Sequence, residues 1–292
     1  MDFDFNLILV PATLIFFGLW LLDKLVLKQR AQLGKGNETF LIRWAYDFWP
    51  VLAVVLFLRS FLYEPFNIPS ESMNPGLQVG DFVLVNKFDY GVRLPLVHTK
   101  ILDTGSPARG DVAVFRFPAD PSVNFIKRVI ALPGDHVRIE NGQISVNGQV
   151  FAQTETTAQK ITFKISNTEN VDLDAKRFQE RIGDKQYEIQ QVLPQQAGVV
   201  QQMLVEGRNA EINELAQQQR SLVSGFPTLA ENGEFTVPAG HYFVMGDNRD
   251  QSDDGRFWGF VPEENLAGRA FYIWMHKAPG FNLPSFSRNG SI

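Results

Sequence analysis

The 292-residue chain contains no cysteine. That removes a disulfide framework, a thiolate nucleophile, a cysteine-ligated zinc and an iron–sulfur centre together. Its four histidines, His98, His136, His241 and His276, are scattered. A histidine-rich metal site is therefore not expected, and no imidazole is visibly partnered as the base of a serine triad. Charge of one sign is not concentrated either. There are 27 Lys and Arg against 32 Asp and Glu, a formal net charge of -5, which argues against nucleic acid, since a phosphate-binding surface needs clustered basic side chains. Neither a Gly-x-Ser-x-Gly elbow nor a Gly-x-x-x-x-Gly-Lys loop is present. Asp250 to Gly255 opens like a calcium loop, but Val261 falls where the bidentate Glu is required. The chain is 45% hydrophobic, enough to bury a core and exclude disorder as its general state.

The hydrophobic residues are unevenly placed. Leu7 to Leu22 is almost unbroken, extended by Phe5 and by Leu25 to Leu27. A bilayer takes about 20 apolar residues to cross, so residues 5–27 are read as a membrane span. The opening MDFDFN lacks the basic start of a cleaved signal peptide. A second run, Phe48 to Tyr63, is shorter and contains Arg59, placed to snorkel towards headgroups. Trp44, Tyr46 and Trp49 stand at its start as an aromatic belt would; an interfacial helix is the alternative. Between the runs, Lys24, Lys28, Arg30, Lys35 and Arg43 face only Glu38. Basic loops stay in the cytoplasm. The loop 24–43 is thus expected inside, and everything after Tyr63 outside. In a bacterium this is expected to be a multi-pass inner-membrane protein whose large domain faces the periplasm or the exterior, with the lipid bilayer as its first partner.

From Pro65 onward, short apolar runs alternate with turn signals. Strands are expected at Asp81–Asn86, Asp111–Phe117, Phe125–Ile130, His136–Glu140, Phe235–Val237, His241–Met245 and Ala270–Met275. Asn141-Gly142 between two alternating runs is a hairpin signal. No βαβ spacing recurs, so the fold class is mostly β, an antiparallel domain behind two membrane helices. Residues 151–234 are rich in Gln, Glu and Thr, and Val199 to Val223 is helix-tolerant. That region is read as an inserted, β-rich and partly helical subdomain, or alternatively as a surface extension. It divides the β domain into 64–150 and 235–292.

Three segments carry chemistry together. In the first, Pro69 and Pro75 bracket Ser70 and Ser72 and stiffen the backbone between them; alone, this would read as a turn. In the second, Asn124 to Asp135, Lys127 sits in the middle of an apolar strand. Facing solvent it is a gatekeeper; facing inward, burial lowers its pKa and makes it a base. The third, Gly246 to Arg256, is a polar turn with Asp/Arg pairing options.

With the preceding membrane anchor, the Ser-Met pair, Ile-Lys-Arg-Val, Leu-Pro-Gly-Asp and Gly-Asp-Asn-Arg-Asp with its following serine, the chain resembles the type I signal peptidases, the bacterial leader peptidase family, in its two-span Gram-negative branch. The resemblance covers Asn67 to Asp135 and Gly240 to Pro262; residues 151–234 show no matching box. It implies Ser72 as nucleophile and Lys127 as general base. The Ser72 N–H and Ser70 hydroxyl would serve as oxyanion donors. It further implies that Ser252 orients the lysine, that Asp254 and Arg256 form a supporting ion pair, and that Asp247 and Arg249 hold the same loop. Phe66, Ile68, Met73, Leu77, Phe125 and Ile126 fall where shallow substrate pockets are expected, which favour small residues at the first and third positions before the cut. No cofactor is implied, whether metal or nucleotide. The expected partners are signal peptides of exported preproteins, beside the secretion translocon. Glu71, between the serines, departs from the small residue common there and is expected to point to solvent. Two alternatives stand beside this: a repressor-type Ser/Lys autoprotease, which would lack the anchor, and a non-enzymatic anchored periplasmic binding module.

Overall fold

The computed structural model describes residues 5–164, 170–192 and 232–292. Helix α1 (Asn6–Leu22) continues through one wider turn to Leu27; after the short α2 (Gln29–Leu33), α3 (Phe40–Phe57) continues likewise to Leu62. These make apolar helices of 22 and 23 residues, each long enough to cross a bilayer. The second begins at Phe40, not Phe48 as the hydropathy run indicates. Arg43 and Asp47 interrupt the run of apolar residues but not the backbone helix, because both are exposed on its surface. The expected aromatic belt is also redistributed. Trp49 packs against Trp20 and Phe17 of α1, with ring centres 4.9 and 5.2 Å away, and Tyr46 turns towards Trp20. Only Trp44 remains largely exposed. Arg59 pairs with Glu64 at 2.6 Å, and Lys87 meets the same carboxylate at 2.7 Å. The end of the second helix is therefore tied to the β domain by ion pairs.

The strands follow as β1 (Tyr63–Asn67), β2 (Asp81–Asn86), β3 (Val92–Arg93), β4 (Lys100–Leu102), β5 (Val112–Arg116), β6 (Asn124–Ala131), β7 (His136–Glu140), β8 (Gln143–Val146) and β9 (Gln149–Val150). Then come β10 (Ala152–Lys164), β11 (Asn170–Ile182), β12 (Lys185–Val192), β13 (Asn232–Thr236), β14 (His241–Met245), β15 (Val261–Pro262), β16 (Leu266–His276) and β17 (Gly290–Ser291). The main sheet has the order β1-β2-β16-β5-β6-β14-β15, with β17 on β16, and its pairs are antiparallel. Register shifts punctuate β16 against both neighbours. Such bulges increase twist and let a sheet curl over its own core. The mostly β, antiparallel fold read from the sequence is the fold observed.

The Asn141-Gly142 hairpin forms between β7 and β8, both residues at positive φ (50° and 78°), as a tight two-residue turn requires. β13 returns from the region after β12 to pair with β7. β10, β11 and β12 form a separate three-stranded antiparallel sheet. The helix-tolerant stretch Val199–Val223 lies outside the described residues.

Three apolar clusters fill the interior. One gathers Ile130, Val137, Phe235, Phe243 and Phe260. A second holds Phe115, Val129, Val244, Phe257 and Trp258. The third holds Ile68, Met73, Leu77, Val83 and Val85. β6 contributes to all three, so both of its faces are covered. Side chains alternate along a strand, and here neither face offers water to a lysine.

Candidate active site

β1 ends at Asn67 and the chain enters a compact turn. Ile68 N–H donates to Asp81 C=O at 2.8 Å, Gly80 N–H returns to Ile68 C=O at 2.9 Å, and Asn74 N–H closes onto Glu71 C=O at 2.9 Å. Ile68, Met73 and Leu77 anchor this turn in the core. The result buries Ser72 while leaving Ser70 and Glu71 exposed.

β6 brings Lys127 to the same place. Its Nζ donates to Ser72 Oγ at 2.6 Å, with both side chains buried. Burial lowers the Lys127 pKa from 10.5 to about 8, against the opposing pull of Asp254 and Asp253. The amine lies 5.4 Å from the centre of the Phe125 ring. Ser70 Oγ is 3.3 Å from Ser72 Oγ. The structure thus assembles the two serines and the lysine that the sequence singled out.

The loop after β14 forms the far wall. Asp254 caps the one-turn helix α4 (Gly255–Trp258), accepting the Arg256 N–H. Its two oxygens also take Arg256 Nε at 2.8 Å and a terminal guanidinium nitrogen at 2.9 Å, and Gly246 N–H reaches it at 2.9 Å. Burial pushes the Asp254 carboxyl up, but Arg256 outweighs it and holds the group below the usual range. The expected Asp254–Arg256 pair is therefore in place. Asp247 and Arg249 lie in the same loop but pair with other elements. Arg128 makes a two-pronged contact with Asp247 at 2.7 and 2.6 Å, and Arg249 grips Glu180 of β11.

Ser252 is fully buried, and its Oγ makes no hydrogen bond to the lysine amine among the described residues. That oxygen has no hydrogen-bond partner among the described residues, and it packs against Gly246. A Cβ at Gly246 would collide with Ser252 Oγ and the Ser72 carbonyl oxygen. Only glycine allows this backbone to approach the Ser72 carbonyl and the Ser252 side chain so closely.

Of the apolar residues expected to line pockets, Ile68, Met73, Leu77 and Ile126 share one cluster with Phe66 packed against it. Ile68, Met73 and Leu77 are fully buried and form a floor rather than a surface. Phe125 belongs to the neighbouring cluster, stacked on Phe117 at 4.4 Å, and flanks the lysine instead. Sequence reasoning assigned no role to Arg128, Tyr187, Glu180, Gln190 or Asn248. Arg128 had one signal, a second charge beside Lys127 in an apolar strand. Glu180 and Gln190 had none, because nothing local distinguishes them from the polar residues around them.

A neutral amine touching a serine hydroxyl in a dry site can take that proton and make the oxygen a nucleophile. Chemically, the contact is one that a serine hydrolase using lysine instead of histidine can employ. Comparison with known proteins gives the class a family. A family profile described as "Signal peptidase, peptidase S26" matches residues 41–275. Among curated relatives, "Signal peptidase I" of Pseudomonas fluorescens is 41% identical over 269 residues, covering 88% of this chain and 81% of the relative. Its counterpart in Pseudomonas aeruginosa is 38% identical over 323 residues, with both chains covered completely. That of Aquifex aeolicus is 34% identical over 231 residues, covering 77% of this chain and 80% of the relative. The chain belongs to the signal peptidase family, peptidase S26.

Proposed function

We propose that this chain is a membrane-anchored serine endopeptidase that removes signal peptides from exported preproteins, with Ser72 as nucleophile and Lys127 as general base. The reading rests on one observation, the buried 2.6 Å contact between Lys127 Nζ and Ser72 Oγ, in a chain of this family. Ser72 Oγ attacks the scissile carbonyl while its proton passes to the neutral Lys127 amine. The developing oxyanion is met by the Ser72 N–H and the Ser70 hydroxyl. The Lys127 ammonium then gives its proton to the departing amine, leaving an acyl group on Ser72. Water, deprotonated by the regenerated lysine, attacks that ester and releases the second product. Among the described residues no backbone acceptor takes the Ser72 N–H, which leaves it available for this role.

Asp254, Arg256, Asp247 and Arg249 hold the wall behind the lysine, and Ser252 is buried within that wall. The apolar floor of Ile68, Met73 and Leu77 lies directly beneath the turn, with Phe66 and Ile126 at its rim. A floor with no depth admits small side chains and turns away large ones, so cleavage follows small residues at the first and third positions. The basic segment between the helices supports an orientation with the β domain on the periplasmic side, beside the translocon that delivers preproteins. Residues 151–234 are an insertion into a catalytic unit formed by 64–150 and 235–292; the separate β10–β12 sheet and the return of β13 to β7 support that division.

The test is cleavage of a signal-peptide-bearing preprotein by the detergent-solubilised chain. Ser72→Ala and Lys127→Arg both abolish turnover without unfolding. Guanidinium stays protonated at working pH, so appreciable turnover by Lys127→Arg would remove the general-base assignment.

A further inference from the structure

The Ser72 N–H belongs to the peptide unit whose carbonyl is that of Glu71, because the six atoms of a peptide bond share one plane. Whatever holds the Glu71 carbonyl therefore aims the Ser72 N–H. Asn248 does this: its side-chain Nδ2 donates to Glu71 C=O at 3.2 Å and to Gln251 Oε1 at 2.7 Å. Its backbone N–H donates to Ser72 C=O at 3.1 Å. One residue thus grips both peptide planes that flank Ser72.

Asn248 is itself held from β12. Gln190 Nε2 donates to Asn248 Oδ1 at 3.3 Å, and the two residues are joined by a parallel β-bridge. Gln190 N–H donates to Asp247 C=O at 2.9 Å, and Val192 N–H donates to Asp250 Oδ2 at 2.8 Å. With Gln190 donating to Oδ1, Nδ2 must face Glu71; a flipped amide would set two carbonyl oxygens against each other.

A second clamp comes from β11. Glu180 is fully buried. It grips Arg249 with both oxygens and also accepts Tyr187 Oη at 2.6 Å and Gln153 Nε2 at 2.8 Å. The Tyr187 ring lies 3.7 Å from the Arg128 guanidinium that holds Asp247. Every residue from Asp247 to Asp250 is thus fastened to β6, β11 or β12.

We propose that Gln190 and Glu180 are positioning residues for proteolysis: Gln190 sets the Asn248 amide that aims the Ser72 N–H, and Glu180 fixes the loop that carries Asn248. The β10–β12 sheet is then part of the catalytic apparatus. This rests on the reading of Ser72 as nucleophile.

The test uses the full-length chain in detergent and a preprotein substrate. Gln190→Met keeps length and bulk but donates nothing. A loosened oxyanion donor lowers kcat by about 10-fold and leaves KM within about twofold, because the donor acts on charge that develops only in the transition state. Asn248→Asp, which cannot donate to Glu71, shows a similar loss. The double variant loses little more, since both act through one amide. Glu180→Gln lowers kcat as well as thermal stability; should it fail to fold, the Gln190 and Asn248 variants carry the test. An unchanged kcat in folded Gln190→Met, a rise confined to KM, or fully multiplicative losses in the double variant would overturn the proposal. Ser72→Ala, measured alongside, separates the two levels: wild-type turnover there removes the proteolytic reading itself.

Discussion

Burial of Lys127 has two measurable consequences, one for rate and one for stability. With its pKa lowered from 10.5 to about 8, about one amine in ten is neutral at pH 7, against roughly 1 in 3,000 for a lysine in water. The acidic limb of kcat/KM should therefore rise about tenfold per pH unit up to pH 8 and level off above about pH 9. The stability consequence has a definite sign. The unfolded chain binds this proton more tightly than the folded one, so stability rises with pH between the two pKa values. Below pH 8 the full cost is present, about 3 kcal/mol, and by pH 10 it falls to about 1 kcal/mol. Lys127→Met abolishes both the base and the cost. Relative to wild type, the Met variant gains most at pH 7, and its advantage shrinks by about 2 kcal/mol towards pH 10. Unfolding of both proteins in detergent at several pH values, with the rate profile of the wild type, reads out the two effects. A rate that climbs until the lysine pKa of water, together with a stability difference independent of pH, would show an amine that is hydrated, and the proposed mechanism would fail.

Ser70→Ala should lower kcat by roughly 10²–10³-fold with little change in KM, as loss of one oxyanion donor does; a change in KM alone would make Ser70 a ground-state contact. Met73→Ala opens the buried floor to water, so the acidic limb should move to higher pH as desolvation of the lysine is relieved; a limb that stays fixed while cleavage-site preference changes would restrict Met73 to shaping the pocket. Protease added to intact spheroplasts should digest the chain beyond Tyr63 and spare the segment from Lys24 to Arg43; protection of the β domain would reverse the orientation.

The sequence by itself determined the pieces that depend on short range. Two long apolar runs require two bilayer-length helices, because an unsatisfied backbone is too costly in hydrocarbon. Strand positions followed from alternation and from turn residues such as Asn141-Gly142, whose positive φ is a local property. Ser70, Ser72 and Lys127 were singled out by the resemblance of their segments to signal peptidase boxes; read alone, serines between prolines make a turn and a lysine in an apolar strand is a gatekeeper or a base. The start of the second helix at Phe40 was not legible, since hydropathy marks apolarity and not backbone hydrogen bonding. Nor was the destination of Trp49, which required knowing which face of α3 meets α1.

The tertiary structure decided whatever depends on two distant segments meeting. Whether Lys127 faces solvent or serine is undetermined in a strand read alone; it is settled because the sheet curls and covers both faces of β6. Arg249 pairs with Glu180, and Asp247 with Arg128, because β11 and β6 bring those partners to the loop. Glu180 and Gln190 look like ordinary polar residues in a polar segment. Their role exists only because β11 and β12 lie against the chain beside Ser72, and pairing at such sequence separation leaves no mark on the residues nearby.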